Sequence, residues 1–170
     1  LVAAGLGAPV GYKIGCTTPV MQDFLGIRNP CGGVIFEETV CRHSVEVPSD
    51  GFIKLGIECE IGVFIGSDIC ANDRSFRADK LADYVDSIMV AMEIVDDRYA
   101  CFGNLGVPTL IADNFFNSGC VLGKPLTSWH GLNLSKLVGQ TKINGKVMGT
   151  GTGKAVMGHP FNALAWLATN

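Results

Sequence analysis

The chain has 170 residues, 48% hydrophobic and 17% charged, with a mean hydropathy of +0.32. That is apolar surface enough for one compact domain with a sizeable core, and too much for a disordered chain. A net charge of −3 and a pI near 5.5 leave no electrostatic footprint for nucleic acid, and no Lys/Arg run marks an anionic membrane surface. No apolar run approaches the roughly 20 residues of a membrane span and no basic-then-apolar leader opens the sequence. The expectation is a cytoplasmic protein acting on a small molecule, with neither nucleic acid nor membrane as partner.

Glycine, at 22 residues, punctuates short apolar runs, the pattern of many short strands joined by turns. Strands are predicted over residues 11–15, 33–37, 57–65, 91–96, 119–122 and 138–143. Periodic apolar positions Leu81, Ala82, Val85, Ile88 and Met89 predict a helix over 78–89. Asn144-Gly145 between Ile143 and Lys146 is a two-residue hairpin signal, because both turn positions require positive φ. Gly149-Thr150-Gly151-Thr152-Gly153-Lys154 reads as a loop after it, and lacks the residue order of a phosphate-binding loop. A last helix is predicted from Pro160, with Phe161, Leu164, Ala165, Trp166 and Leu167 on its apolar side and His159 placed to cap it. His43 and His130 sit in polar segments and are expected to be solvated.

The predicted strand Ile57-Glu58-Cys59-Glu60-Ile61-Gly62-Val63-Phe64-Ile65 holds the most informative residues. Its two-residue repeat turns Ile57, Cys59, Ile61, Val63 and Ile65 one way and Glu58 and Glu60 together the other, with α-carbons about 7 Å apart. Two carboxylates in an apolar segment must be paired, protonated or bound to a cation. Glu93, in Met92-Glu93-Ile94-Val95-Asp96, is a third. Three oxygen donors without a Cys/His pair favour Mg²⁺ or Mn²⁺ over Zn²⁺. On spacing alone, a solvated strand face is the competing reading. Lys13, between Tyr12 and Ile14 in a glycine-bounded strand, is either a buried ammonium suited to proton transfer or a snorkelling side chain.

Seven cysteines, an odd number without C-x-x-C spacing, indicate neither a disulfide framework nor a zinc site. Cys59 and Cys120 are expected as small buried hydrophobes. The first residue is Leu and the last predicted helix runs to the end of the sequence, so both ends are expected to be cut.

Taken together, five stretches resemble one family. They are Gly11-Tyr12-Lys13-Ile14-Gly15-Cys16-Thr17-Thr18, Ile57-Glu58-Cys59-Glu60-Ile61, Met92-Glu93-Ile94-Val95-Asp96-Asp97-Arg98, Ile111-Ala112-Asp113-Asn114, and Gly158-His159-Pro160-Phe161-Asn162-Ala163-Leu164-Ala165-Trp166-Leu167. The family is that of 2-keto-4-pentenoate hydratase and 4-oxalocrotonate decarboxylase, within the fumarylacetoacetate hydrolase superfamily. The matches run in the family's order along almost the whole chain.

The resemblance implies an α+β fold, a mixed and mostly antiparallel β-sandwich or roll with a few peripheral helices. It implies residues 1–170 as one catalytic-type domain without the family's N-terminal helical region and C-terminal closing segment, acting as a homo-oligomer. It also implies Mg²⁺ or Mn²⁺ on Glu58, Glu60 and Glu93, Lys13 as the catalytic residue, and Asp113 and Gly33 at the substrate. The implied reaction is addition of water to a 2-hydroxy-2,4-dienoate, giving a 4-hydroxy-2-oxo acid, in the catabolism of aromatic compounds. Alternatives on the same chemistry are decarboxylation of a 2-oxo-3-enedioate and C–C hydrolysis of an acylpyruvate; an alternative of another class is a non-catalytic binding or assembly subunit. One departure concerns specificity: Cys31, in Pro30-Cys31-Gly32-Gly33, stands where family members often have Asp.

Overall fold

A computed structural model describes residues 5–70 and 76–170. The architecture is α+β, with three open sheets and short helices between them. Strand β1 (Pro9–Gly15) pairs antiparallel with β2 (Cys31–Phe36), and helix α1 (Pro19–Leu25) fills the connection. The central sheet has four strands, β3 (Val40–Arg42), β4 (Leu55–Ile65), β5 (Val85–Asp96) and β6 (Asn117–Leu122), in the order β3-β6-β5-β4. All its pairs are antiparallel except β3 with β6. Strands β7 (Val138–Ile143) and β8 (Lys146–Thr152) form a separate hairpin. Helices α2 (Ala78–Leu81), α3 (Val107–Ala112) and α4 (Pro160–Thr169) complete the set.

The core gathers Val85, Ile88, Trp129, Leu134 and Phe161, with Val63, Ala82, Leu137 and Leu164 packed around them. Strand β5 runs through the sheet with neighbours on both sides, and Val85, Ser87, Ile88, Met89, Ala91 and Ile94 along it are all buried. That pairing on both edges explains one departure from expectation. The helix predicted over 78–89 is helical only to Leu81; a 3₁₀ turn follows over Ala82–Tyr84, and Val85 already belongs to β5. The apolar positions of this segment imitate helical periodicity, but pairing with β4 decides the matter (Ile88 opposite Val63, Met89 opposite Gly62). Gly62 is required there, since a Cβ would lie 2.8 Å from Met89 Cγ.

The other predicted strands form. The Asn144-Gly145 turn has φ of 51° and 78°, as its hairpin requires. Residues 149–152, expected as loop, instead belong to β8, and Gly153–Ala155 form a 3₁₀ turn. Helix α4 starts at Pro160, and His159 Nδ1 accepts the Phe161 N–H at 3.1 Å. His43 and His130 are exposed. Cys120 is buried as expected, but Cys59 is exposed, because β4 is the edge strand and its second face is only partly covered. All seven cysteines are free. No helix among the described residues is long and apolar enough to cross a membrane.

Candidate active site

Register builds the carboxylate cluster. Glu58 on β4 lies directly opposite Glu93 on β5, and Glu60, two residues along, falls on the same face one step diagonal. A carboxylate oxygen from each comes within 4.8 Å of the other two. Among the described residues no other set of three His, Cys, Asp or Glu side chains converges this way.

The electrostatics match three carboxylates crowded together with Lys13 as a partial counter-charge. Burial, then the charge of Glu93, pushes Glu58 upward against the opposing pull of Lys13. Burial, then the charges of Glu58 and Glu93, pushes Glu60 up to about 7, again partly opposed by Lys13. Both residues keep solvent access from the open side of the edge strand even though protein atoms crowd their carboxyl groups. Mutual repulsion and crowding act in the same direction, so the upward sense stands.

Lys13 arrives from the other sheet. Its Nζ forms an ion pair with Glu93 Oε1, with both side chains nearly buried at 12% and 10% exposure, and donates to the Asn114 carbonyl at 3.3 Å. The snorkelling alternative is thereby set aside. Gly33 faces Lys13 across the β1–β2 ladder. A Cβ at Gly33 would lie 2.2 Å from Asn114 Oδ1 and 2.9 Å from Lys13 Cγ, so the missing side chain is what admits both groups. Asn114 then uses its amide as a strand edge, accepting the Val34 N–H at 3.1 Å and donating to the Val34 carbonyl at 2.7 Å.

Asp113 is engaged elsewhere. Its Oδ1 accepts from Arg98 at 3.2 Å and its Oδ2 accepts the Phe116 N–H at 2.9 Å, so the carboxylate holds the turn that carries Asn114. Cys31 is buried beside Cys16. Burial, then Cys31, pushes the Cys16 thiol up to about 11, and burial pushes Cys31 upward, which leaves two neutral thiols where a carboxylate would bring charge. A groove of about 570 Å³ lined by Tyr12, Gly32, Trp166, Leu167 and Asn170 includes none of the three glutamates. The carboxylate cluster and Lys13 lie outside the lining of this groove.

One residue of the cluster escaped the sequence reading. Asn117 donates from Nδ2 to Glu93 Oε1 at 2.9 Å. An Asn at a strand start carries no signal of its own, and its orientation depends on a bulge between strands that are distant in sequence.

Residues 28–170 match the fumarylacetoacetate (FAA) hydrolase C-terminal family. The chain belongs to that family. It is 34% identical over 160 residues to a 2-keto-4-pentenoate hydratase of Paraburkholderia xenovorans, covering 94% of this chain and 58% of that protein. It is 32% identical over 161 residues to a 2-hydroxyhexa-2,4-dienoate hydratase of Comamonas testosteroni, covering 94% and 60%. The chain thus spans about three fifths of the length of these curated relatives. Its fold is similar to that of 4-oxalocrotonate decarboxylase from Pseudomonas putida G7, solved with magnesium and adipate, at a TM-score of 0.87 and 25% identity over 98% of this chain and 62% of that one. Fumarylpyruvate hydrolase from Pseudomonas aeruginosa, solved with Mn²⁺ and pyruvate, shares the fold at a TM-score of 0.68 and 11% identity, covering 93% of this chain and 70% of that one.

Proposed function

We propose that this chain is the catalytic-type domain of a divalent-metal-dependent hydro-lyase that adds water to a 2-hydroxy-2,4-dienoate, giving a 4-hydroxy-2-oxo acid in aromatic catabolism. The observation that carries the reading is the convergence of Glu58, Glu60 and Glu93 with Lys13 set against Glu93. Three hard oxygen donors whose mutual repulsion one lysine offsets only in part fit Mg²⁺ or Mn²⁺, and these three residues would hold it. When bound, the ion supplies Lewis-acid stabilisation of charge developing on the substrate's 2-oxygen. The hydratase names of the sequence relatives, and the magnesium and Mn²⁺ of the structural neighbours, support the same assignment.

Lys13 is the catalytic residue. Glu93 and the Asn114 carbonyl fix its ammonium, and from that position it moves a proton between the substrate's 2-oxygen and its carbon chain. Conversion of the dienol to a conjugated ketone opens the far carbon to water. Gly33 serves the substrate side by leaving the space that Lys13 and Asn114 occupy, and Asp113 serves it through the turn it holds. The neutral Cys16–Cys31 pair suits a substrate end without charge. The protein acts in the cytoplasm as a homo-oligomer.

A second reading follows from the similarity to 4-oxalocrotonate decarboxylase: the same carboxylates and lysine acting on a 2-oxo-3-enedioate with loss of CO₂. C–C cleavage of an acylpyruvate would use the same electron sink. A product assay separates them. With Mg²⁺ or Mn²⁺ and 2-hydroxypenta-2,4-dienoate, hydration removes the dienol ultraviolet absorbance and releases no CO₂. Lys13→Ala slows that turnover by about 10²- to 10⁴-fold while Mn²⁺ still binds. No turnover by folded, metal-loaded protein on any of these substrates would instead indicate a non-catalytic subunit.

A further inference from the structure

The segment after α3 adopts a conformation that side chains resist. Asn114, Phe115 and Phe116 all have positive φ, at 59°, 52° and 63°. Only Asn visits this region with any ease, and two consecutive phenylalanines persist there only where surrounding contacts determine it. Arg98 supplies those contacts. Its guanidinium donates to Asp113 Oδ1 (3.2 Å), the Phe116 carbonyl (2.9 Å), the Asn117 carbonyl (3.2 Å) and Ser118 Oγ (3.1 Å), and its Nε donates to the Asp96 carbonyl (3.2 Å). Asp113 closes the loop by accepting the Phe116 N–H.

The clamp has a consequence for side-chain direction. On β6, Cys120 pairs with Glu93 and Gly119 with Ile94, but Val95 pairs with Asn117, so Ser118 is an extra residue bulged out of the ladder. A one-residue bulge reverses which face the next side chain takes. Asn117, which would otherwise turn away, is thereby placed on the face of Glu93, and its Nδ2 reaches Glu93 Oε1 at 2.9 Å. Lys13 takes the same oxygen. Both donors therefore fasten Oε1, and neither occupies Oε2.

We propose that Asn117 is a positioning residue for the metal site, fixing the rotamer of Glu93 so that its other oxygen is offered to the cation, and that Arg98 and Asp113 act through the left-handed turn to hold Asn117 in place. The inference rests on the metal reading above. It extends that reading to residues that touch neither ion nor substrate. Outer hydrogen bonds to ligating side chains commonly govern metal affinity by about 10- to 100-fold.

The test is Mn²⁺ titration of the whole chain by calorimetry, alongside the thermal midpoint of the metal-free protein. Wild type binds Mn²⁺, and Asn117→Ala binds it about 10- to 100-fold more weakly. Asn117→Leu, close in volume and without the donor, shows the same loss and covers the case in which the alanine variant does not fold. Arg98→Gln weakens Mn²⁺ binding in the wild-type background and adds little in the Asn117→Ala background, because both act through one route. Unchanged Mn²⁺ affinity in folded Asn117→Ala or Asn117→Leu would overturn the proposal with the metal site intact. Equal losses from Arg98→Gln in both backgrounds would overturn the clamp. A wild-type chain that binds no Mn²⁺ would sink the metal reading itself, and this inference with it.

Discussion

At the scale of single residues, the site is a problem of like charges solved by position. Glu60 illustrates the thermodynamics: its carboxyl, pushed up to about 7, binds a proton more tightly in the folded chain than an ordinary glutamate does. Its contribution to stability is fully present below the usual carboxylate range, near 4.5, and is lost as pH rises through about 7. The metal-free protein should therefore lose stability on this account between about pH 4.5 and 7. A bound divalent ion restores it, since the ion takes the deprotonated form. Thermal midpoints with chelator and with Mg²⁺, compared from pH 5 to 8, should diverge as pH rises. Midpoints that stay parallel across this range would remove the ion from Glu60.

Gly33 is the second residue-scale test. Its α-carbon faces Lys13 across the ladder while Asn114 presses from the side, so Gly33→Ala forces Asn114 Oδ1 or the Lys13 stem to move. Overpacking of this kind costs about 1–3 kcal/mol. Chemical denaturation should register that loss, and turnover should fall further than stability explains because Lys13 is displaced. A neutral substitution would show that the segment relaxes freely.

At the scale of elements, local signals and pairing divide the work. Helix α1 is specified by its ends: Thr18 Oγ1 accepts the Met21 N–H at 3.3 Å, Pro19 opens the first turn, and Gly26 closes the helix at φ 65°. These signals stood in the sequence, but a seven-residue helix has too few periodic positions to stand out. Thr18→Ala should lower stability by about 0.5–1 kcal/mol, at the low end for a cap because the bond is long and exposed. Urea denaturation measures it. Strand β5 shows the opposite case, with Val85, Ile88 and Met89 spaced like a helix but held extended by β4.

At the scale of the whole molecule, strands from two sheets meet at one cluster: β4 and β5 bring the carboxylates, β1 the lysine, and the turn into β6 the two asparagines. An ion bound there joins adjacent strands of the central sheet and stabilises the folded chain as a whole. Mg²⁺ or Mn²⁺ at about 100 times its dissociation constant should add about 2.7 kcal/mol to the unfolding free energy. Denaturant titration with and without the ion checks this, and the increment should vanish in a Glu58→Gln/Glu60→Gln variant that folds.

The alternation of Glu58 and Glu60 along one strand, the Asn144-Gly145 hairpin and the Pro160 helix start were fixed by the order of residues, because strand period, turn dihedrals and helix caps are local properties of the chain. Membership of the FAA hydrolase family was legible for the same reason, as motifs at their proper spacing. The third carboxylate beside the other two, the lysine upon it and Asn117 turned towards it were decided only by tertiary structure. Register between strands sets which side chains face one another, and a single bulged residue reverses a face without any local sequence signal.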